Sequence, residues 1–458
     1  MKIFIPKDVD FIINNFYEKG YEAFMVGGCV RDALLNKIPK DYDITTSAKP
    51  EEILYLFKKT IPTGIKHGTI TVVLNNINYE VTTYRTEGKY INNRHPSYVD
   101  FVTDIKEDLS RRDFSINALA YNNVIGLVDY FNGIDDLKNK IIKSVGDPNV
   151  RFQEDALRML RAIRFSCKLG FEIEENTFRA IKLNKKLINN ISKERIRDEI
   201  CKILISDNPA KGFELLANSG LLEIILPEIN SLINFSPLSI KHNKNVFSHT
   251  LKVLNNTYNN LYLRLAALFH DVGKLNTLTL ESDGIYRFPL HNIESSKLTK
   301  LILKDLHFDN ITIKNVSKLI EHHLVPSPKD LPSRYEVKKL LIDVPIDILS
   351  LLFDLQRADI KSLDNPKPFL EKVDYFEALA KEIIDNKEPL SIKDLDIKGN
   401  DLIKELSIEN GKEIGLILNY LLEEVLKHPE LNNKTKLLSL AKHFLLNKGA
   451  YTTIHSVD

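Results

Sequence analysis

The chain has 458 residues, which is more than one hydrophobic core supports, so two to four domains are expected. Hydrophobic residues make up 43% and charged residues 27%, which excludes a disordered or fibrous chain. Lysine and arginine number 63 against 62 aspartates and glutamates, a net charge of +1. The overall charge therefore indicates no nucleic-acid partner, although a local basic face is compatible with one.

The three cysteines, Cys29, Cys167 and Cys201, are far apart and odd in number. That pattern excludes a disulfide framework and a CxxC zinc knuckle, and it fits a reducing cytoplasm. The amino-terminal segment meets charged residues too early for a signal peptide, and no apolar run approaches the roughly 20 residues that span a bilayer. We therefore expect a cytoplasmic protein with no membrane partner.

In chain order, the first third alternates helical and strand-like patterns. Apolar spacing predicts helices over residues 8–20, 29–36 and 51–60 and strands over 21–28 and 41–46. Residues 69–85 carry β-branched residues on two arms and predict a β-hairpin that turns at Asn75-Asn76.

From residue 151 onward nearly every segment has helical periodicity. The predicted fold class is an α/β head with a small mixed sheet, followed by an elongated all-α remainder. We expect four parts, a head (residues 1–145), a neck (146–235), a body (236–370) and a tail (371–458), because proline- and glycine-bearing breaks separate the helical units.

Two aspartates, Asp41 and Asp43, mark the predicted second strand. Residues two apart on a strand face the same side, so both carboxylates project together. Like charges held that close need a cation between them, and Mg²⁺ with oxygen ligands and nucleotide phosphates suits this role. Glu80, on the second hairpin arm, is a candidate third carboxylate. An isolated DxD more often decorates a turn, so the pair alone does not decide between these alternatives.

A Gly27-Gly28 pair precedes the helix before these aspartates. Glycines at a helix start let backbone N–H groups approach a triphosphate, and Arg31 adds a guanidinium. Glycines and paired carboxylates at this spacing favour nucleotide and metal binding over a decorated turn.

The segment FMVGGCVRDALLNKIPKDYDITTSAKP resembles the signature of class II tRNA CCA-adding enzymes and bacterial poly(A) polymerases. The similarity continues through GIKHGTITV, EVTTYR, RRDFSINALAY and RFQEDALRMLRAIRF. It implies a polymerase-β-like catalytic head in which Asp41 and Asp43 hold two Mg²⁺ ions while a tRNA 3′-hydroxyl attacks the α-phosphate of the nucleotide. The expected activity is template-independent addition of C, C and A from CTP and ATP, with no obligate protein partner evident.

The sequence EDALRMLRAIRF places Asp155 and Arg158 three apart, hence as neighbours on one predicted helix face. An Asp acceptor beside an Arg donor complements the Watson–Crick edge that cytosine and adenine share, whereas uracil and guanine leave polar groups unpaired. Arg161 and Arg164 continue the row, and the resemblance implies that they and Arg112 approach the nucleotide and its phosphates. The alternative for an isolated RxxRxxR is a solvated basic face.

Residues 85–102 resemble the flexible loop that CCA-adding members use when they switch from C to A. Arg94, Pro96 and Val99 match the family pattern, whereas Asn92 stands where an acidic residue is usual. This substitution predicts a less efficient A step with unchanged chemistry.

A second candidate metal site is formed by His249, His270, Asp271 and Asp359, in the order H…HD…D. Imidazole with carboxylate suits Mn²⁺, Co²⁺, Ni²⁺ or Fe²⁺ better than Mg²⁺. The order, with Gly273-Lys274 after the HD pair, resembles the HD phosphohydrolase superfamily and implies activation of water against a phosphoester. The alternative is a structural hydrogen-bonded pair. Three further histidines are additional candidates: His291, His322 and His323.

The tail resembles the family segment that grips the tRNA elbow. Gly399, Gly411 and Gly415 are candidate phosphate contacts there, although such glycines are more often simple helix breaks. Two other functions remain open at this point: a poly(A) polymerase, and an HD phosphohydrolase whose head only binds RNA. A non-enzymatic RNA-binding protein is a more distant third.

Overall fold

The structure is a computed structural model that describes residues 3–88, 90–91, 93, 95–236, 245–325, 331–408 and 411–446. An α/β head leads into a helical remainder, as the periodicity predicts. Among these residues, no helix combines the length and the apolar character that crossing a bilayer requires. The three cysteines are free, and Cys29 and Cys167 are buried, which confirms the absence of a disulfide framework.

Strands are concentrated in the head. Their bounds are β1 Ala23–Val26, β2 Ile44–Thr46, β3 Thr60–Gly64, β4 Thr69–Leu74, β5 Ile77–Thr83, β6 Arg85–Glu87, β7 Tyr90–Ile91, β8 His95–Pro96, β9 Val99–Phe101, β10 Leu119–Asn122, β11 Gly126–Asp129, β12 Ile141–Ile142, β13 Glu172–Ile173, β14 Thr279–Leu280 and β15 Tyr286–Arg287.

Seven strands form the main sheet in the order β11-β10-β1-β2-β5-β4-β3. The β2 and β5 strands pair in parallel with Ile44 opposite Val81, and the other pairings are antiparallel. The predicted hairpin is confirmed, because β4 and β5 are joined by Asn75 and Asn76 with φ of 52° and 62°. Two consecutive positive φ values match the right-handed twist of the flanking strands, and asparagine tolerates them.

Helices of the head and neck begin and end as follows: α1 Lys7–Glu18, α2 Gly28–Leu34, α3 Pro50–Leu56, α4 Ile105–Ser110, α5 Gly133–Lys138, α6 Pro148–Glu154, α7 Leu157–Leu169, α8 Glu175–Asn184, α9 Lys193–Leu204, α10 Pro209–Ser219, α11 Leu221–Ile225 and α12 Pro227–Ser231. In the body and tail they are α13 Val246–Asn255, α14 Leu261–Phe269, α15 His291–Asp305, α16 Asn310–Glu321, α17 Arg334–Asp343, α18 Ile346–Ile360, α19 Lys367–Asp385, α20 Gly399–Leu406, α21 Gly411–Lys427 and α22 Lys434–Leu446.

One continuous hydrophobic core runs from Ile3 in the head through the neck and body to Ile383 in α19. A smaller core on the other face of the sheet includes Phe24 and Tyr84. The tail has its own core, which includes Leu395, Leu402, Leu421 and Leu437. Head, neck and body therefore share buried contacts, whereas the tail packs on itself.

The predicted boundary between body and tail at residues 370/371 falls inside α19. The apolar positions of this helix, such as Val373 and Ile383, belong to the core of the body, so the helix cannot be divided between two units. The core of the tail begins after Ser391, so residues near 390 are a better boundary than 370. The other boundaries stay predictions.

Candidate functional site

The first candidate site surrounds a glycine turn at the end of β1. Gly27 has φ +76° and its N–H donates to the Leu119 carbonyl at 2.9 Å. A side chain there would be strained, and a Cβ would lie 3.0 Å from Nη1 of Arg112. Gly28 then begins α2. The absence of a side chain at Gly27 thus lets the Arg112 guanidinium lie against the turn.

Asp41 and Asp43 lie immediately before β2, because the strand begins at Ile44. The prediction that they are strand residues is therefore wrong in detail. The Asp43 carbonyl accepts a hydrogen bond from the Val26 N–H at 3.0 Å, so the segment is already fixed beside β1. Both side chains are exposed to solvent.

Glu80 lies within β5, and the parallel β2–β5 register brings it beside Asp43. Ile44 pairs with Val81, so the residues before them, Asp43 and Glu80, are neighbours across the two strands. Partial desolvation raises the pKa of Asp43; the Arg112 guanidinium opposes this, whereas Glu80 and Asp41 raise it further. A carboxylate whose ionisation is opposed by burial and by two nearby carboxylates fits a site for divalent cations.

Arg112 lies just beyond α4 and is oriented by a buried carboxylate. Its Nη2 lies 3.3 Å from Oδ2 of Asp108, which is 0% exposed. Arg111 binds Oδ1 of the same aspartate at 2.7 Å. Coulombic attraction and hydrogen bonds from both arginines overcome burial and lower the pKa of Asp108. Asp108 was not among the predicted site residues, although its position four residues before Arg112 was a usable signal.

Arg31 is buried within the head rather than exposed at the glycine turn. Its Nε donates to Oδ1 of Asp32 at 2.8 Å and its Nη1 to Oδ1 of Asn117 at 2.6 Å. Only 4% of the residue is exposed. The structure thus brings Arg31 next to the turn, with its guanidinium already engaged.

Asp155 and Arg158 do not share a helix. The α6 helix ends at Glu154, Asp155 is extended, and α7 starts at Leu157, so the prediction of one common helix face is wrong. The Asp155 carboxylate accepts a hydrogen bond from the Leu157 N–H at 3.1 Å, and this local bond competes with helix continuation.

The two groups also have separate partners. Arg195 donates to Oδ2 of Asp155 at 2.9 Å, and Arg158 donates to Oε2 of Glu154 at 2.8 Å. Arg158 Nη2 also donates to the Arg111 carbonyl at 3.0 Å. Asp155 and Arg158 are therefore close in the chain and anchored separately.

Arg161 and Arg164 are paired with buried carboxylates. Nε of Arg161 donates to Oδ2 of Asp113 at 2.8 Å, and Nε of Arg164 lies 3.2 Å from Oε2 of Glu199. Burial would raise the pKa of Asp113, but Arg161, together with an Asn117 amide, holds it at about 2. The row is not the freely solvated basic face of the alternative interpretation.

Asn92 and Arg94 of the predicted flexible loop lie outside the described residues, as does Lys89. Asn93 is described, and its side chain accepts a hydrogen bond from Asn190 of the neck at 2.7 Å. The expectation about the A step stays a prediction.

The second candidate site lies in the body, where α13, α14 and α18 meet. Nε2 of His249 lies 3.2 Å from Nε2 of His270, 3.4 Å from Oδ2 of Asp271 and 3.1 Å from Oδ1 of Asp359. The predicted quartet is thus brought together around one point.

Two further histidines join the quartet. Nε2 of His291 lies 3.4 Å from Oδ1 of Asp271, and the His323 ring is 5.1 Å from that of His270 and 5.4 Å from that of His291. His270, Asp271 and His323 offer ligand atoms within 4.8 Å of one another, as do His249, His270 and Asp359. His270 is common to both sets, so the two candidate ligand sets are contiguous.

Three of these rings are oriented in the same way. Nδ1 of His270, His291 and His323 donates to the carbonyl three residues earlier, at 2.9, 2.9 and 2.7 Å. Nδ1 of His249 is 2.9 Å from Ser362 Oγ. Because Nδ1 carries the proton in the three carbonyl-bonded rings, their Nε2 lone pairs are available to a metal ion.

The electrostatics of the cluster also suit a cation. Burial, followed by the neighbouring His270 and His291, lowers the pKa of His323 to about 3, and burial lowers that of His291. Both rings are therefore neutral near pH 7. Burial opposes ionisation of Asp271 and Asp359, but His270 and His249, with Lys274 beside Asp271, hold both pKa values below the usual range. Burial lowers the pKa of His270, but the two carboxylates outweigh it and raise that pKa. Ionised carboxylates beside the neutral rings of His291 and His323 form a competent donor set for a transition metal.

His322 points away from this cluster. Its Nε2 lies 2.7 Å from Oδ2 of Asp343, and Lys318 Nζ lies 2.8 Å from the other oxygen of that carboxylate. A lysine already neutralises this group, so His322 is not a ligand of the second site.

A cavity of about 270 Å³ opens beside the cluster. Two cations, Lys274 and Arg287, share its wall with apolar side chains, and Lys274 Nζ is 2.6 Å from Oδ2 of Asp271. The apolar part of the wall consists of Phe288, Leu324, Val325, Ile360, Leu363 and Phe369.

The mixed sheet with crowded carboxylates beside a glycine turn, followed by arginine-bearing neck helices, defines a nucleotidyltransferase of the polymerase-β-like class. Family models agree along the chain. They match a Poly A polymerase head domain at residues 23–143, an RNA and SrmB-binding site of polymerase A at 170–233, an HD domain at 241–379 and a tRNA nucleotidyltransferase domain 2 at 355–441.

Relatives narrow the class to one family. The chain is 33% identical to the CCA-adding enzyme of Ligilactobacillus salivarius over 95% of this chain and 96% of that protein. It is 48% identical to the CCA-adding enzyme of Lactobacillus helveticus over 49% of this chain and 59% of that protein. The chain belongs to the CCA-adding enzyme family.

Solved structures have the same fold. The CCA-adding enzyme of Bacillus stearothermophilus in complex with CTP superimposes with a TM-score of 0.70 at 26% identity, over 96% of this chain and 98% of that one. The Thermotoga maritima CCA-adding enzyme complexed with tRNA has a TM-score of 0.60 at 21% identity, over 97% of this chain and all of that one.

Proposed function

We propose that this chain adds C, C and A to the 3′ end of tRNA, using CTP and ATP and releasing pyrophosphate. The observation that carries the proposal is the crowding of Asp41 and Asp43, just before β2, with Glu80 on the neighbouring strand β5, next to the end of β1 that leads into the Gly27 turn. Family membership favours this function over a poly(A) polymerase and over a head that only binds RNA.

The residues of the head and neck divide the work. Asp41 and Asp43 would hold Mg²⁺, with Glu80 as a third carboxylate. When bound, the metal ions would lower the pKa of the attacking hydroxyl and stabilise the charge on the leaving pyrophosphate. Backbone groups of Gly27 and Gly28, with Arg112, would receive the triphosphate.

The neck would select the base. Asp155 accepts and Arg158 donates, and this pair of functions matches the edge that cytosine and adenine share. In the free protein these groups are bound by Arg195 and Glu154. An incoming base would exchange those partners for its own edge. Arg31 lies on α2 next to the nucleotide-binding turn, and Arg161 and Arg164 lie on the neck helix α7.

The test is the incubation of a tRNA that ends at the discriminator base with each NTP, followed by sequencing of the added 3′ end. Wild type is expected to add C, C and A in order. Asp43→Ala is expected to abolish addition while tRNA affinity is retained, with the exposed surface variant Asp135→Ala as control. Normal incorporation by Asp43→Ala would contradict the assignment of the metal site.

We further propose that the body is a metal-dependent phosphohydrolase acting on phosphates at RNA 3′ ends. The carrying observation is the group of four histidines and two aspartates whose Nε2 and carboxylate atoms converge. A bound Mn²⁺, Co²⁺ or Ni²⁺ would supply an activated water. His249, His270, Asp271 and Asp359 would hold the metal, with His291 and His323 as additional ligands, and Lys274 lies in the cavity wall where a phosphate would enter.

Adjacent histidines provide a matched test of this site. His323→Ala is expected to lower both the bound metal content and the hydrolysis of a 2′,3′-cyclic phosphate, whereas His322→Ala is expected to lower neither. Asp271→Ala should lose hydrolysis and keep nucleotide addition. A metal-loaded wild type that hydrolyses no cyclic phosphate, 2′-phosphate or phosphomonoester would reduce the cluster to a structural role.

A further inference from the structure

Phe165 on α7 is a buried aromatic residue around which three arginines gather. The guanidinium carbons of Arg164, Arg31 and Arg161 lie 4.4, 5.3 and 5.5 Å from the centre of its ring. The ring is 6% exposed and packs edge-on against Phe114 at 5.8 Å. At these distances the negative face of an aromatic ring attracts a cation.

The three arginines come from two parts of the chain. Arg31 belongs to α2, directly after the Gly27-Gly28 turn of the head, whereas Arg161 and Arg164 belong to the neck. Each guanidinium has its own carboxylate, in Asp32, Asp113 and Glu199 respectively. Among the described residues, the Phe165 ring is the aromatic group that contacts all three guanidinium groups.

A chain of hydrogen bonds also links Arg31 of the head to Arg161 of the neck. The Arg31 Nη1 donates to Asn117 Oδ1 at 2.6 Å, the Asn117 Nδ2 donates to Asp113 Oδ1 at 3.0 Å, and Arg161 binds the other oxygen of Asp113. Asn117 can join a cation to an anion because its amide carries both an acceptor and a donor. Displacement of one guanidinium would therefore disturb the others.

We propose that Phe165 is a positioning residue for nucleotide binding, which fixes the nucleotide-binding turn of the head against the neck helix that carries Arg158. This inference rests on the proposed nucleotidyl transfer and adds a residue that does not itself touch the nucleotide. Loss of the ring face would let the turn and the neck helix move independently. Affinity for CTP and for ATP would fall to a similar extent, because the residues that contact the triphosphate and those that contact the base would no longer be held in a fixed relative position.

The experiment compares three variants. Phe165→Leu removes the ring face and keeps an apolar side chain, Phe165→Tyr retains the ring, and Phe213→Leu alters another buried neck phenylalanine on α10, which is 0% exposed. Equilibrium CTP affinity, KM, kcat and the melting temperature are measured for each.

For Phe165→Leu we expect CTP affinity to fall about tenfold and KM to rise similarly for CTP and ATP, with kcat changed less than about threefold. Phe165→Tyr is expected to remain within about twofold of wild type. Phe213→Leu should lower the melting temperature without changing affinity, because its loss of packing lies outside the arginine cluster.

Two outcomes would overturn the proposal. One is a Phe165→Leu variant whose affinity loss is no larger than that of Phe213→Leu; the other is an equal loss in Phe165→Leu and Phe165→Tyr. A wild type that binds CTP and adds no nucleotide would instead contradict the proposed function, and the CTP affinities would still decide the role of Phe165.

Discussion

Asp113 is a buried carboxylate that connects the head to the neck through Arg161 and Asn117. Its pKa is about 2 against an ordinary value of 3.8. A depressed pKa stabilises the folded state above the unfolded value, and this contribution is lost as the pH falls through the folded value. The window is therefore about pH 4 to 2, and the shift corresponds to about 2 kcal/mol.

We predict that Asp113→Asn is less stable than wild type at pH 7 and that the difference shrinks as the pH falls from 4 toward 2. Asparagine cannot ionise, so the variant lacks the stabilisation that wild type loses in acid. Urea unfolding at pH 7, 5, 4 and 3 gives the two free energies of unfolding. If the free energies of unfolding of both proteins changed with pH in parallel, Asp113 would not be the carboxylate whose ionisation stabilises the fold.

We predict that Asp155→Ala or Arg158→Ala loosens base choice more than it weakens triphosphate binding. Each group supplies one half of the match to cytosine and adenine, so either loss removes roughly 1–3 kcal/mol of discrimination. Misincorporation of UTP and GTP is the measurement. The control is Arg179→Ala, which breaks an exposed ion pair with Glu175 on α8. If either variant added nucleotides more slowly but kept the preference for C and A, other residues would have to select the base.

Among the elements, the β4–β5 hairpin and the break after α6 show what could be predicted from the sequence. The hairpin is predictable from local sequence, because Asn75-Asn76 lies between two arms rich in β-branched residues. The structure has the hairpin at this position. The interruption at Asp155 depends on Arg195, which is 40 residues away, and on a side-chain bond to Leu157. Residues 150–165 have helical periodicity throughout, so local patterns could not reveal it.

The candidate metal ligands in the body were predictable as residue types, but their grouping was not. The H…HD…D order identified four of them. His291 and His323 could be separated from His322 only by the direction of each ring, which follows from the helix ends that carry them. The direction of a side chain depends on tertiary structure. The neighbouring residues His322 and His323 therefore look alike in the sequence but face different surroundings.

We predict that substitution by alanine changes the stability of the protein in opposite directions at Gly415 and at Gly273. In α21, a Cβ on Gly415 would meet no atom within 4 Å, so Gly415→Ala should stabilise the protein by about 1 kcal/mol through helix propensity. A Cβ on Gly273 would lie 2.5 Å from the backbone nitrogen of Ser295, so Gly273→Ala should destabilise it by about 1–3 kcal/mol. Chemical denaturation of both variants checks the signs, and a stabilised Gly273→Ala would contradict the close approach of α15.

At the scale of the whole molecule, the tail is joined to the body mainly by polar contacts from α17. The Tyr335 hydroxyl donates to Glu423 at 2.8 Å, and Lys339 pairs with the same carboxylate. The apolar residues of the tail pack among themselves. The core of the tail is therefore separate from the core of the head, neck and body.

We predict that a chain ending at residue 391 folds, binds CTP with unchanged affinity and loses most of its affinity for tRNA. The core of the head, neck and body contains no residue of the tail, so the shortened chain keeps it whole. The shortened chain lacks the surface proposed to hold the tRNA elbow. Thermal unfolding, CTP titration and tRNA gel shift make up the measurement, with the full chain as control. An unfolded or aggregated product would show that the tail is part of the main folding unit.

The continuous core from α1 to α19 constrains how this chain can change over generations. Loss of the histidines in the body would remove the proposed metal site and leave the buried apolar contacts in place. Loss of the helices that carry them would expose the apolar side of the neck, on which nucleotide addition depends. Selection for the proposed nucleotide addition alone is therefore sufficient to preserve the helices, so the proposed hydrolytic activity can be lost by substitution of the ligands but not by deletion of the helices.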